Sequence, residues 1–384
     1  MTAGEDSASL RWKLRKVWRF VSIYGPGRTW FKVAGRLRRG LPRLRSGGRA
    51  ADIGMLGCGQ FAFATIGYFL RRESGARIAA CFDIEPRAAQ SFARAQGLAR
   101  PCASADELLA QPGLKLVYVA SNHASHAGYA ADALRRGLDV YVEKPVAVTL
   151  PQLAALEGAR RAARGRLFAG YNRPFSAAIR DFRRHVRVDA AGGLSMQCFV
   201  SGHQLAADHW YRLPAEGTRI CGNVGHWLDL FVHLLAWRGY PQRLDIALTC
   251  ADDAEPDDNL SISLRSDRGD LCSIMLSSRT EPFEGINETI NLQHGEAIAK
   301  IDDFRRMSLW QGSRLLRRRY WPKDVGHRLA ILQPFRQDAP RDWQEVLRSA
   351  LLVLQITRMV REGTRNAAFS FEQEVAQLEA LIAP

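Results

Sequence analysis

A glycine-rich segment near the start of the chain has the residue types of a phosphate-binding loop. Residues 57–62 read GCGQFA, a G-x-G-x-x-A pattern between an apolar stretch and a predicted helix. In such a loop Gly57 allows a tight turn, Gly59 lets the backbone approach a pyrophosphate, and the small Ala62 lets the helix pack closely on the strand. The helix N-terminus then offers unpaired N–H groups to the phosphates. A structural turn can have the same composition, but the strand–loop–helix context favours a dinucleotide site.

An acidic residue, Asp83, ends the second predicted strand. A carboxylate at that place bonds the ribose 2′-hydroxyl of a dinucleotide and repels a 2′-phosphate. The alternative is an aspartate that only caps the following helix or turn. We expect NAD as the cofactor, with NADP less favoured.

Two further polar segments follow strands of the same predicted sheet. Residues 121–126, SNHASH, follow the fourth predicted strand, and Glu143-Lys144-Pro145 follows the fifth. Open α/β sheets bind ligands at the carboxyl ends of their strands. His123 and His126 are metal-ligating types, but no carboxylate or cysteine completes a set at ligand spacing. We therefore expect no metal, and substrate contact or packing for these histidines.

A third polar segment surrounds His226, at the start of a predicted helix. An imidazole has a pKa near working pH and suits acid–base chemistry. A satisfied core histidine beside Trp227 is the alternative. Asp229, one turn further on, could hold the imidazole tautomer or merely support the helix. Asn223 can orient a hydroxyl by hydrogen bonding but cannot accept its proton.

The predicted elements place these motifs in two domains. Strands and helices alternate from about Ala51, which indicates a doubly wound parallel sheet of the Rossmann type. After about Tyr171, longer strands with polar turns indicate an α+β domain built on an open, mostly antiparallel sheet, interrupted by one helix. Two helices are predicted from about Asp342. The expected divisions are a basic arm (1–48), a dinucleotide-binding domain (49–172), a substrate and oligomerisation domain (173–330) and a C-terminal helical segment (331–384).

The bulk composition excludes several classes of protein. The chain has 384 residues and a net charge of +15. Residues 1–50 hold 13 Lys and Arg against two acidic residues, so 13 − 2 = +11 of that charge lies in the first 50 residues. We therefore expect no nucleic-acid partner for the fold. The seven cysteines form no C-x-x-C pair, which argues against structural zinc and disulfides. With no long apolar run and no signal peptide, a cytoplasmic protein is expected.

The arm contains one amphipathic helix. Its apolar stripe consists of Leu10, Leu14, Val17, Trp18 and Val21, at helical spacing and flanked by Arg and Lys. One interpretation is peripheral contact with an anionic membrane on its inner face. A helix packed on the protein itself is an equal alternative. Contact with an acidic partner or with a nucleotide-sugar pyrophosphate is a third.

Together these motifs resemble the Gfo/Idh/MocA oxidoreductase family. The glycine loop, Asp83, the histidine-rich loop, Glu143-Lys144-Pro145 and residues 169–173 (AGYNR) match its order and spacing over roughly residues 51–310. The resemblance implies that Lys144 reaches nicotinamide and substrate, that the Lys144–Pro145 bond is cis, and that His226 is the acid or base on a substrate hydroxyl. Where the family often has an aspartate, this chain has Gly222, which leaves the proton acceptor open.

The resemblance also implies a set of binding residues. Those expected at the cofactor are Gly57, Gly59, Gln60, Phe61, Ala62, Asp83, Ser121, Asn122, His126, Glu143, Lys144 and Pro145. Those expected at the substrate are Asn172, Arg173, His209, Trp210, Asn223 and His226.

The implied function is hydride transfer between NAD and a hydroxyl or keto carbon of a sugar, nucleotide sugar or cyclitol, in a branch similar to surface-polysaccharide sugar dehydrogenases. One alternative is a redox-neutral enzyme with tightly bound NAD. The other is a non-catalytic ligand sensor. A homodimer or homotetramer is expected through the C-terminal sheet, whose strands carry alternating apolar residues such as Leu260, Ile262 and Leu264.

Overall fold

The computed structural model describes residues 10–38, 51–75, 77–187, 192–280, 283–336 and 341–382. Two helices precede the first strand: α1 (Leu10–Tyr24) and α2 (Pro26–Leu37). Gly25, at a φ of 78°, separates them, and Pro26 begins the second helix. The boundary expected at residue 48 lies outside the described residues.

The N-terminal sheet is parallel, as the sequence predicts, and has five strands. They are β1 (Ile53–Leu56), β2 (Ile78–Phe82), β3 (Leu116–Val119), β4 (Asp139–Val142) and β5 (Leu167–Ala169), in the order β2-β1-β3-β4-β5. Every residue of β1 and β3 is buried, which explains their unbroken apolar sequences. The connecting helices are α3 (Gly67–Ser74), α4 (Pro86–Gln96), α5 (Ala105–Leu109), α6 (His126–Arg135) and α7 (Leu150–Ala162).

The segments that begin at Ser121 and Glu143 each follow a strand one place earlier in the chain than the sequence predicts. Ser121 follows β3, the third strand, and Glu143 follows β4, the fourth. Between β2 and β3 the chain passes the sheet edge at Cys102, whose N–H donates to the carbonyl of Cys81 (2.8 Å). That contact does not extend into a strand. Both segments still lie at the carboxyl edge of the sheet.

The C-terminal sheet has nine strands among the residues described. They are β6 (Leu194–Ser201), β7 (Leu244–Cys250), β8 (Asn259–Ser266), β9 (Leu271–Ser277), β10 (Asn287–His294), β11 (Ala297–Asp302), β12 (Arg306–Gln311), β13 (Arg314–Arg319) and β14 (Asn366–Phe369), in the order β13-β12-β11-β10-β6-β9-β8-β7-β14. Neighbours pair antiparallel except β6 and β9, which are parallel. The mostly antiparallel sheet expected from the sequence is confirmed.

The helices of the C-terminal part of the chain are α8 (Ala177–His185), α9 (Gly225–Ala236), α10 (His327–Ile331), α11 (Trp343–Glu362) and α12 (Phe371–Ile382). Of these, α8, α9 and α11 pack on one face of the sheet, whereas α12 packs on α7 and α11. β14 lies between α11 and α12 and pairs with β7. The C-terminal segment therefore contains a strand, whereas the sequence predicts only helices there. Gly363, at a φ of 69°, ends α11 and turns the chain towards that strand.

The apolar residues through which self-association is expected from the sequence lie on the covered face of this sheet. Leu260, Ile262 and Leu264 are buried in the core of this chain, which corrects that part of the expectation. The opposite face exposes a different apolar set: Phe199, Leu271, Met275, Ile298 and Trp310. Within the described ranges, no helix is long and apolar enough to cross a membrane.

Candidate active site

The glycine loop joins β1 to a helix that starts with a π-helical turn, Ala62–Ile66, and continues as α3. Gly57 has a φ of 90°, and a Cβ there would come within 2.4 Å of the Ala120 carbonyl oxygen. At Gly59 a Cβ would meet no atom within 4 Å, so the backbone has open space beside it. The first N–H groups of a helix have no partner inside the helix. The loop therefore has the open glycine backbone that a dinucleotide pyrophosphate requires.

Asp83 lies beside this loop at the end of β2. Its carboxylate accepts hydrogen bonds from the Cys58 N–H (2.6 Å) and the Glu85 N–H (2.8 Å). These bonds fix the carboxylate at the loop, at the strand end where a ribose is expected. Its contact with a ribose stays a prediction.

Asn122 and His123 hold the histidine-rich loop against the segment around Glu216. The Asn122 amide donates to the Glu216 carboxylate (2.6 Å), and His123 Nδ1 lies 3.0 Å from the Glu216 carbonyl oxygen. Burial and the nearby Lys144 lower the pKa of His123 to about 2, so its ring is neutral. These contacts support the packing interpretation of His123.

His126 joins the two polar segments. Its Nδ1 lies 2.8 Å from the Pro145 carbonyl oxygen and its Nε2 lies 3.1 Å from the Ser121 carbonyl oxygen. The imidazole is buried, and burial lowers its pKa. A neutral imidazole has one N–H and can donate to only one of these two carbonyls, but both ring nitrogens lie against the backbone, so His126 joins the two loops.

Lys144 is held at the centre of the site. The Lys144–Pro145 bond is cis, as the family resemblance implies. The Lys144 Nζ donates to the Gly222 carbonyl oxygen (2.6 Å), and burial lowers the pKa of Lys144 to about 8. A lysine in this range can donate a hydrogen bond or exchange a proton near neutral pH.

Glu143 is buried next to Lys144. It accepts a hydrogen bond from the Tyr141 hydroxyl (2.8 Å), and burial raises its pKa to about 7. Gly170 makes room for it, because a Cβ there would lie 2.7 Å from the Glu143 carboxyl group. Glu143 therefore supplies a buried counter-charge for Lys144.

His226 is the second residue of α9, and this helix directly follows a second π-helical turn, Ile220–Val224. Its Nδ1 is buried and has no hydrogen-bond partner in the described part of the chain. Burial, Arg173 and Lys144 lower its pKa well below 6.5. Asp229 instead pairs with Arg341 (2.6 Å), which supports the helix-stabilising interpretation of that aspartate. His226 is thus a neutral imidazole at working pH.

One cavity of about 480 Å³ brings many of the expected residues together. The expected residues that line it are Phe61, Ser121, His126, Glu143, Lys144, Arg173, Trp210, Asn223 and His226. Its position, between the glycine-loop helix and α9, is that of a pocket for a nicotinamide and a small substrate.

Two expected substrate residues lie outside the cavity lining. Asn172 is fully buried and its amide donates to the Val325 carbonyl oxygen. His209 accepts a hydrogen bond from the Tyr211 N–H (3.1 Å) and caps a short helical turn. Arg173 does line the cavity, but its guanidinium is paired with Glu288 (2.9 Å). Their roles at a substrate stay predictions.

The comparisons with known proteins agree with this geometry. Residues 51–171 match the model of the oxidoreductase family with an NAD-binding Rossmann fold, Gfo/Idh/MocA. The matched residues include the glycine loop, Asp83 and Lys144.

Relatives extend the likeness along the chain. An inositol 2-dehydrogenase of Ralstonia nicotianae is 32% identical over 150 residues, 38% of this chain and 44% of the relative. A putative UDP-kanosamine synthase oxidoreductase subunit of Amycolatopsis mediterranei is 27% identical over 57% of this chain and 68% of its own length. The chain spans about half the length of the inositol dehydrogenases it matches.

Solved structures show the same two-domain fold. The WlbA dehydrogenase of Bordetella pertussis, in complex with NADH and UDP-GlcNAcA, has a TM-score of 0.64 at 20% identity, over 84% of this chain and 99% of that one. GenD2 from gentamicin A biosynthesis, in complex with NAD, has a TM-score of 0.69 at 18% identity, over 86% and 99%. The fold of these structures therefore matches that of this chain through the C-terminal sheet as well.

Several cavity residues are not predicted from the sequence. His327, at the start of α10, lines the cavity, and its Nδ1 lies 3.2 Å from Arg28 Nη2. It lies too far along the chain from the other motifs for spacing to link them. The arm also reaches the cavity, with Lys16, Phe20, Tyr24, Arg28, Lys32 and Arg36. The high positive charge of the arm is the sequence feature that could have indicated a place at the cavity. No group of three potential metal ligands occurs among the residues described.

Proposed function

We propose that the protein is an NAD-dependent oxidoreductase that transfers a hydride between nicotinamide and a hydroxyl or keto carbon of a sugar, nucleotide sugar or cyclitol. The observation that carries the proposal is that Lys144 and His226 line one cavity next to the glycine-loop helix. A cation that donates to an oxygen and a neutral base are the two groups that alcohol oxidation requires.

In this proposal the Gly57–Ala62 loop and Asp83 hold the cofactor, and bound NAD supplies the hydride acceptor. Lys144 donates a hydrogen bond to the reacting oxygen, where its charge stabilises a developing alkoxide. His226 accepts the hydroxyl proton, because its lowered pKa keeps it neutral at working pH. In the reverse direction the proton returns to the substrate oxygen.

The substrate class is inferred from the named relatives. One set of relatives acts on inositol, a cyclitol, and one structural neighbour is in complex with UDP-GlcNAcA, a nucleotide sugar. Fold likeness alone is an associational argument for a substrate. Mixing the protein with NAD and a panel of nucleotide sugars and inositols, and following reduced-nicotinamide absorbance, tests it. Accumulating NADH supports net oxidation, whereas product without NADH would favour a redox-neutral reaction.

We also propose self-association through the open face of the C-terminal sheet. Phe199, Leu271, Met275, Ile298 and Trp310 are exposed there, on β6, β9, β11 and β12. An apolar patch of this kind on a sheet usually marks an interaction surface. A homodimer or homotetramer would bury it.

Peripheral membrane contact through α1 is a separate proposal. Leu14 and Trp18, on the stripe expected from the sequence, are 60% and 75% exposed. The helix packs on the protein by another face, which includes Phe20 and Ile23. Co-sedimentation with anionic vesicles that weakens at high salt is expected. Failure of the full chain to sediment with such vesicles at low salt would contradict this proposal.

A further inference from the structure

Helices α1 and α2 form one wall of the active-site cavity. Cavity-lining residues occur at every fourth position across both helices: Lys16, Phe20, Tyr24, Arg28, Lys32 and Arg36. Side chains four apart in a helix lie on the same face. The two helices thus present a continuous basic and aromatic face towards Lys144 and His226.

Both domains hold this wall in place. The Gln60 amide, in the glycine loop, donates to the Lys32 carbonyl oxygen (3.1 Å), and Arg38 Nη1 donates to the Cys58 carbonyl oxygen (2.9 Å). On the other side the Lys323 N–H donates to the Ile23 carbonyl oxygen (2.8 Å). The basic face is therefore a fixed part of the site and not a loose arm.

The acidic side chains near this wall are already engaged. Glu284 pairs with Arg19 (3.1 Å), on a different face of α1. Glu288 pairs with Arg173 (2.9 Å), and Asp303 pairs with Lys323 (2.5 Å). Among the described residues, neither Lys32 nor Arg36 makes an ion pair, so the wall carries positive charge without a protein counter-ion.

Arg28 and Lys32 show the effect of this missing counter-ion. Arg28 is 8% exposed, and its Nε has no partner in the described part of the protein. Lys32 Nζ lies over the rings of Phe20 (4.4 Å) and Tyr24 (4.6 Å). Burial, together with the neighbouring Arg28 and Arg36, lowers the pKa of Lys32 to about 7. Burying unpaired charge is unfavourable, and a bound anion would offset that cost.

We propose that Lys32 and Arg36, backed by Arg28 and Lys16, bind a phosphate or diphosphate group of the substrate. The substrate would then be a phosphorylated sugar, such as a nucleotide- or lipid-diphosphate sugar, rather than a free sugar or cyclitol. Charge-assisted bonds from Arg and Lys are the usual means of holding such anions. This inference rests on the proposed oxidoreductase function, because it places the phosphate in the same cavity as Lys144.

The cofactor's own pyrophosphate is the other source of this chemistry, since Lys32 and Arg36 lie near the glycine loop. The two sources differ in what saturating NADH does. If the wall binds the substrate's phosphate, inorganic pyrophosphate should still bind to NADH-saturated protein. If it binds the cofactor, NADH should exclude pyrophosphate.

The test uses the full chain and the double variant Lys32→Met/Arg36→Gln. Calorimetry measures the affinity for inorganic pyrophosphate with and without saturating NADH, and fluorescence measures the affinity for NADH. We expect pyrophosphate affinity to fall roughly tenfold or more in the double variant, while NADH affinity changes by less than about threefold. The matched control Arg94→Gln/Lys115→Met removes two exposed cations of the Rossmann domain and should change neither affinity.

Three results would overturn the inference. They are equal pyrophosphate affinity of variant and wild type, no pyrophosphate binding to the NADH-saturated wild type, and an equal loss of NADH affinity in the double variant. Thermal unfolding followed by circular dichroism establishes that the variant is folded. Pyrophosphate binding does not require turnover, so a failure of the proposed oxidoreductase function would appear separately, as absent hydride transfer.

Discussion

The ring of Tyr211 occupies the space that a side chain at position 222 would need. A Cβ on Gly222 would come within 2.4 Å of Tyr211 Cε2 and 2.7 Å of Cζ. The absence of the aspartate often found at this position in the family is therefore matched by an aromatic side chain that packs in its place. Because the Gly222 carbonyl accepts the Lys144 hydrogen bond, this packing also fixes the geometry of Lys144.

Restoring the aspartate alone should therefore damage the site. Gly222→Asp should lower turnover by roughly tenfold or more, because overpacking shifts the backbone that holds Lys144. Combining it with Tyr211→Ala, which removes the clashing ring, should recover part of the loss. Steady-state kinetics of the two single variants and the double variant measure this coupling. Additive losses would show that Tyr211 and Gly222 are independent.

Cofactor preference should depend on Asp83. Replacing it by serine, together with Ile84→Arg, removes the carboxylate and adds a cation that suits a 2′-phosphate. We expect the ratio of NADPH to NADH affinity to rise by about tenfold or more. Fluorescence titration of both cofactors measures it. Tighter binding of NADPH than NADH by the wild type would contradict the role of Asp83.

The pH dependence should differ between the two directions of reaction. Reduction takes its proton from protonated His226, whose pKa lies well below 6.5, so reduction should slow as the pH rises above that pKa. Both directions need the Lys144 ammonium as a hydrogen-bond donor, and burial lowers its pKa to about 8, so both should decline as the pH rises through about 8. Oxidation needs neutral His226, whose pKa is lowered well below 6.5, so oxidation should persist until the pH falls well below 6.5.

Profiles of kcat/KM in both directions test this, and Glu143→Gln removes the neighbouring titration near pH 7. An oxidation rate that stays constant well above pH 8 in both proteins would exclude the Lys144 ammonium as the hydrogen-bond donor to the reacting oxygen.

Self-association should depend on the exposed sheet face. Met275→Asp/Leu271→Asp places two charges within the patch and should convert an oligomer to a monomer in light scattering at micromolar concentration. Leu381→Asp, at an exposed residue of α12 away from the sheet, is the matched control. A wild-type protein that is strictly monomeric would contradict the proposal directly.

The sequence predicts the Rossmann domain better than the surroundings of its site. The buried strands β1 and β3 are unbroken apolar runs, and the glycine loop and Lys144 sit directly after strands, so local pattern suffices there. Alternation along β8 shows that Leu260 and Ile262 share a face, but not whether helices of the same chain cover it. That outcome depends on tertiary packing, which a local pattern does not contain.

The position of the arm also depends on tertiary packing. An amphipathic pattern predicts a helix in α1, yet the apolar stripe with Leu14 and Trp18 remains exposed, while Phe20 and Ile23 pack inward. The packed face mixes apolar residues with Lys16, so it does not stand out as a hydrophobic stripe. His327 reaches the cavity only because Gly326, at a φ of 93°, packs on the Asn172 carbonyl far away in sequence.

Hydride transfer at Lys144 and His226 can be measured most directly by rapid mixing. Protein saturated with NAD is mixed with nucleotide-diphosphate sugars, and the reduced-nicotinamide band is followed within one turnover. We expect the band to form with the wild type and with the exposed-lysine control Lys300→Ala. Its rate should fall roughly a hundredfold or more in Lys144→Ala and His226→Ala, with NAD affinity retained. A band that forms at the wild-type rate in Lys144→Ala, or that never forms in NAD-bound wild type, would contradict the account.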